Sequence, residues 1–176
     1  MTNYDLMSCW QIAAPREAVY RALGQPTDWP RWWLGLRRVE ELGSCNERSN
    51  DQSNEHSNDR NHEQGTGRGY RYHWQSPLGY PLRFDIRVIR LYAPWLMVGQ
   101  ASGDVEGWGC WQLTEAAGGT LVRYRWRVRT TQPWMNLSAP LARPLFVWSH
   151  DAMMQSGAVG LSRWLQAPLG AGGCRR

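Results

Sequence analysis

Residues 122–129 read Val-Arg-Tyr-Arg-Trp-Arg-Val-Arg, a strict alternation of apolar and cationic side chains. Successive side chains of a strand point to opposite faces. Val122, Tyr124, Trp126 and Val128 therefore share one face, and Arg123, Arg125, Arg127 and Arg129 the other. Such a strand needs an apolar layer on one side and water on the other. Leu145–Leu165 supplies a candidate layer. Phe146, His150, Met153, Met154, Gly157, Leu161 and Trp164 recur at intervals of three or four, with Asp151, Gln155, Ser162 and Arg163 off that stripe. About 20 helical residues span roughly 30 Å, enough to cross a curved sheet. A sheet wrapped around one helix leaves room between the layers, and that room is the expected seat of function.

The rest of the chain supplies the remaining strands. Tyr4–Ile12 places Leu6, Ser8, Trp10 and Ile12 on one face. Ala14-Pro15-Arg16-Glu17 opens a helix, with proline tolerated in the first turn, and Val19, Tyr20 and Leu23 form its apolar stripe. Asp28 is placed to cap a short second helix holding Trp29, Pro30, Trp32 and Trp33. Leu36–Leu42 reads as a strand. After Gly69, Tyr70, Tyr72 and Trp74 alternate with Arg71, His73 and Gln75, and after the Ser76–Gly79 turn Leu82, Phe84, Ile86 and Val88 alternate with Arg83, Asp85 and Arg87. Trp95–Ala101 and Val105–Leu113 follow, and the Ala117-Gly118-Gly119 turn leads into the long strand. About seven strands in hairpin succession predict an antiparallel sheet. Pro140 and Pro144 suit helix first turns, so a short turn is expected before the main helix.

Residues 44–67 differ in kind. From Glu47 the chain runs ERSN-DQSN-EHSN-DRNH, with no apolar residue between Cys45 and Gly65. Such a segment cannot offset its ordering entropy by burial, so a disordered and dispensable insert within a single domain, residues 1–176, is expected. The four cysteines, Cys9, Cys45, Cys110 and Cys174, are scattered, which argues against a disulfide framework or a zinc site. His56 and His62 lie beside acids, but irregular spacing without a rigid frame makes no metal site, and no metal or cofactor is expected. The N-terminus lacks a basic region followed by an apolar run, and no stretch reaches the roughly 20 apolar residues of a membrane span, so a cytoplasmic location is expected.

Twelve Trp and seven Tyr against two Phe give the hydrophobic fraction a large apolar area with polar edges, suited to partly wet pocket walls. All twenty cationic residues are arginine and the formal charge is +5. A mildly basic surface permits transient contact with an anionic membrane. Arginines alternating on a solvated sheet face are expected from solubility alone, so nucleic acid is not an expected partner.

Ile12-x-Ala14-Pro15-x-Glu17-x-Val19-Tyr20, Trp29-Pro30-x-Trp32-Trp33, Gly118-Gly119-Thr120 and the run from Thr130 into the amphipathic helix resemble the START-like, or SRPBCC, superfamily. That superfamily includes Bet v 1-like proteins, polyketide cyclase/dehydrases and lipid-transfer domains. The tail through Phe146-x-Trp148-x-His150-Asp151 is similar to an uncharacterised bacterial branch of it. The resemblance covers nearly the whole chain outside 44–67 and implies the α+β helix-grip fold. In that fold a curved antiparallel sheet meets two short N-terminal helices and a long C-terminal helix, with an apolar cavity between sheet and helix. The same frame serves binders and enzymes, so it does not imply catalysis.

The expected ligand-binding wall is Trp33, Tyr72, Trp74, Phe84, Ile86, Val88, Trp111, Tyr124, Trp126 and Val128 from the sheet side. The helix contributes His150, Met153, Met154, Gly157 and Leu161. No nucleophile elbow, phosphate loop or HExxH is present. Gly103, Gly107 and Gly109 are spaced as strand glycines marking bulges or close backbone approach. His150 carries two readings. Burial would keep it neutral and fit for general-base work; alternatively it is a structural histidine bonded to a carbonyl or to a sheet Tyr or Trp, the commoner case. Two functions follow. One is binding or transport of a hydrophobic small molecule, such as a lipid, an isoprenoid or an aromatic compound. The other is a polyketide cyclase/dehydrase-type enzyme using His150 as acid/base with a tyrosine such as Tyr72 or Tyr124. Oligomeric state is not legible.

Overall fold

The structure, a computed structural model, describes residues 3–43, 65–131 and 139–170, with side chains from 144 onward in the last segment. Seven strands form one sheet: β1 (Asn3–Ile12), β2 (Leu36–Leu42), β3 (Gly69–Gln75), β4 (Pro81–Tyr92), β5 (Leu96–Gly103), β6 (Val105–Ala116) and β7 (Gly119–Thr130). Their spatial order is β1-β7-β6-β5-β4-β3-β2, and every neighbouring pair is antiparallel. Among the seven strands, only the β1–β7 pairing joins strands that are not consecutive in the chain. Between β1 and β2 the chain crosses from one sheet edge to the other through α1 (Arg16–Leu23) and a 3₁₀ turn (Pro26–Arg31). Register shifts between Leu36 and Arg38 and between Val88 and Arg90 contribute to the curl of the sheet. The long helix α2 (Ala139–Trp164) lies across its concave side.

The alternation at 122–129 holds. Val122, Trp126 and Val128 are buried while the four arginines are exposed. The outward row is not bare positive charge. Arg125 forks onto Asp5 at 3.0 and 2.7 Å, Arg129 donates to Glu106 at 2.7 Å, and Arg71 forks onto Asp85 at 2.7 and 2.8 Å. Cross-strand register sets these pairs: Asp5 lies opposite Arg127 beside Arg125, Glu106 opposite Arg129, and Arg71 opposite Asp85.

Four expectations are corrected. Asp28 lies inside the 3₁₀ turn, which begins at Pro26 and has no side-chain cap. Helix α2 already begins at Ala139, so Pro144 lies in its second turn and not its first; the short turn expected before the helix lies outside the described residues. Trp164 is 40% exposed and lies under the Arg31 guanidinium at 5.2 Å, off the apolar stripe. Cys9 is disulfide-bonded, because linear spacing does not report which cysteines a fold brings together. The expected insert lies outside the described residues except for Gly65–Gly67. Those three form a half-buried turn in which the Gly67 N–H donates to the Val88 carbonyl at 2.8 Å.

After α2 the chain returns to β1. The Ala13 N–H donates to the Pro168 carbonyl, and the Gly170 N–H to that of Gln11. Beneath lies a core of Trp10, Ile12, Val19, Leu23, Leu113, Val122 and Leu161, all buried. Thr120, fully buried beside it, donates its hydroxyl to the Ala14 carbonyl at 2.7 Å.

Candidate functional site: an aromatic chamber between sheet and helix

A chamber of about 460 Å³ lies between the concave sheet face and α2, within the size range of small-molecule sites. Inward-facing positions of five strands build its sheet wall: Tyr70, Tyr72 and Trp74 on β3, Phe84, Ile86 and Val88 on β4, Met97 on β5, Trp111 on β6, and Tyr124 and Trp126 on β7. Phe84, Ile86 and Val88 are only half-buried because they face this space. From α2 come Phe146, Ser149, His150, Met153 and Met154, and from the first crossover Tyr20, Trp29 and Trp33.

Small residues on β5 and β6 make the room. Gly99 and Gly109 stand directly opposite each other in the β5–β6 register, and both line the chamber. A Cβ on Gly109 would fall 2.7 Å from both the Trp126 ring and the Tyr124 hydroxyl, so those side chains lie across bare backbone. Trp111 then stacks on Tyr124 at 4.0 Å between ring centres, and Tyr72 stacks on Phe84 at 5.4 Å. Trp33 meets Trp74 edge-on at 5.3 Å, and its indole N–H donates to the Met153 carbonyl at 2.8 Å. The wall is therefore a pre-formed aromatic surface with rings locked by their neighbours.

Its polar groups are few. His150 is buried, and neither ring nitrogen has a hydrogen-bond partner among the described residues. Its Nδ1 lies 3.6 Å from Asp151 Oδ1, too far for a hydrogen bond. Burial holds the imidazole pKa below its ordinary value against the opposing pull of Asp151. Among the described residues, His150 has no carbonyl, Tyr or Trp hydrogen-bond partner of the kind a structural histidine would have. Burial pushes the Tyr72 and Tyr124 phenols well above their ordinary value, so both remain protonated donors at neutral pH. Ser149 shares a 2.9 Å hydroxyl contact with Ser76, tying α2 to the β3–β4 turn.

Twelve of the fifteen expected wall residues line this chamber; Val128, Gly157 and Leu161 do not. Val128 packs with Tyr4, Leu6, Ala101, Val105 and Trp126 in a separate cluster where sheet and helix close together. Gly157 lies hard against the Trp33 ring, and Leu161 is fully buried in the core. Periodicity assigns a residue to a face but not to a position along it. Of the other lining residues, Tyr70 and Arg68 were legible in the sequence, since both share the parity of Tyr72 and Trp74. Tyr20, Trp29, Tyr80 and Ser149 reach the chamber through the crossover, a turn and helix rotation, which no local pattern reports.

Sheet order, the paired crossover elements and the long helix over the concave face define the START-like, helix-grip fold. Solved structures share it. The di-domain aromatase/cyclase BexL from the BE-7585A biosynthetic pathway superposes with a TM-score of 0.68 at 13% identity over 94% of this chain, which spans 51% of that protein. The Zhui aromatase/cyclase from Streptomyces sp. R1128 gives 0.67 at 12% identity, covering 94% of both chains. A START superfamily protein from Mycobacterium smegmatis gives 0.63 at 12% identity, covering 94% of this chain and 96% of that one. At such identity the likeness concerns the fold. No protein-family model and no curated protein sequence matches the chain. Among the described residues, no helix is long and apolar enough to cross a membrane.

Proposed function

We propose that the protein binds and carries a hydrophobic small molecule of the lipid, isoprenoid or aromatic type in this chamber. The carrying observation is a 460 Å³ space walled by stacked Trp and Tyr rings and two methionines on α2. An apolar guest would release water from that wall at about 25 cal/mol per Å² of surface covered, and Met153 and Met154 are flexible enough to adapt to its shape. Native mass spectrometry of gently purified protein tests the reading, with a co-purifying apolar adduct expected. Tryptophan emission that is unmoved by every apolar probe titrated into the ligand-free protein would overturn it.

A second reading is favoured by one observation: the buried His150, without a hydrogen-bond partner among the described residues, lines the same chamber as the protonated phenols of Tyr72 and Tyr124. Aldol cyclisation of a poly-β-keto substrate needs a base to take a proton from carbon and a donor for the developing enolate. A neutral His150 suits the first role and Tyr72 or Tyr124 the second. Two of the similar structures are named as aromatase/cyclases, which agrees with this chemistry without assigning it here. Turnover of a poly-β-keto thioester that survives His150→Ala undiminished would remove His150 from the role.

A further inference from the structure

Arg68 stands apart from the other arginines of the sheet. It precedes Tyr70 by two residues, on the same inward-facing series as Tyr70, Tyr72 and Trp74, whereas Arg71, Arg83, Arg87, Arg123, Arg125, Arg127 and Arg129 occupy the opposite parity. Its backbone is held in register: the Val88 N–H donates to the Arg68 carbonyl at 2.9 Å. The side chain lines the chamber while remaining exposed to solvent, which places it at an opening. Among the described lining residues it is the one with a permanent charge, and none of them is Asp or Glu. Arg71, Arg125 and Arg129 each have a carboxylate within 2.7 Å; among the described residues no ion pair is formed by Arg68.

His150 lies toward the other end. Its neighbour Ser149 touches Ser76 just past the end of β3, eight residues beyond Arg68. At roughly 3.3 Å per residue, about 26 Å of strand separates the two ends. Along the described lining, the chamber therefore runs from the buried Ser149–His150 end to an exposed end bearing one cation.

We infer that Arg68 anchors a carboxylate at the chamber mouth, so that the ligand is an apolar body with a single anionic end. This rests on the chamber being a ligand site. The planar guanidinium presents parallel donors matching the two oxygens of a carboxylate. A phosphate monoester, with close to two negative charges, would be left half-neutralised by one arginine. A neutral amphiphile would leave the cation without a partner, and a cationic one would be repelled.

Dodecanoate against 1-dodecanol, and 2-naphthoate against 2-naphthylmethanol, test this by calorimetric titration into the wild-type protein and Arg68→Gln. In at least one pair the carboxylate should bind the wild type about fivefold to tenfold more tightly than the alcohol, an advantage that salt reduces. Arg68→Gln should shrink that preference to within about twofold and leave the alcohol's affinity unchanged, with an unaltered circular dichroism spectrum. Equal binding of acid and alcohol by the wild type, or a preference that survives in Arg68→Gln, would overturn the anchor while leaving the apolar site standing. Failure of all four probes to bind would overturn both readings.

Discussion

Replacing Gly157 with alanine sets two effects of known sign against each other. In a helix interior, Gly→Ala is stabilising by about 1 kcal/mol from propensity alone. Here, however, the new methyl would overlap the Trp33 indole, whose Nε1 would stand 2.7 Å from it. The ring cannot retreat freely, because Trp10, Trp29, Trp32 and Trp74 surround it within 5.7 Å between centres. Moving it also breaks the 2.8 Å bond from Nε1 to the Met153 carbonyl. Overpacking of this kind costs about 1–3 kcal/mol and a lost hydrogen bond about 1 kcal/mol. Net of propensity, Gly157→Ala should destabilise by about 2 kcal/mol, which for a chain of this length lowers Tm by about 4–8 °C. Urea unfolding followed by tryptophan emission reads this directly, with a lower midpoint expected at unchanged slope. If Trp33 escapes instead by swinging into the chamber, stability is spared and affinity for apolar probes falls. Unchanged or raised stability together with unchanged probe binding would refute the packing argument.

Leu161, fully buried, should cost about 2–5 kcal/mol on conversion to alanine, measured by the same unfolding curve. Thr120→Val deletes a buried donor and leaves the Ala14 carbonyl without it, so a loss of about 1–3 kcal/mol is expected despite near-equal volume. His150 has a folded-state pKa below its unfolded value near 6.5, so the unfolded chain takes up the proton first as pH falls. Stability should therefore be insensitive to this group above about pH 7.5 and decline below about 6.5, and urea midpoints of His150→Phe should lack that part of the slope.

How much of this was legible before folding follows from what periodicity can carry. Alternation along β3, β4 and β7 and the three-and-four spacing of α2 identify which side chains turn inward, because backbone geometry alone dictates that. The α+β order of elements and most of the chamber wall follow from those patterns together with the family resemblance. The depth of the chamber does not. It arises where Gly99 meets Gly109 across two strands, a coincidence of register that neither strand's own pattern contains. Likewise Leu161 and Val128 share the face of the wall residues yet lie where the layers touch, since closure depends on the curl of the whole sheet. His150 was visible as a polar residue on an apolar stripe, but its lack of a hydrogen-bond partner among the described residues depends on every element packed around it. Arg68 shows the boundary most plainly. Its inward parity was written in the chain, whereas the absence of an ion pair to it among the described residues was decided only when the paired strands set Asp85, Asp5 and Glu106 against Arg71, Arg125 and Arg129.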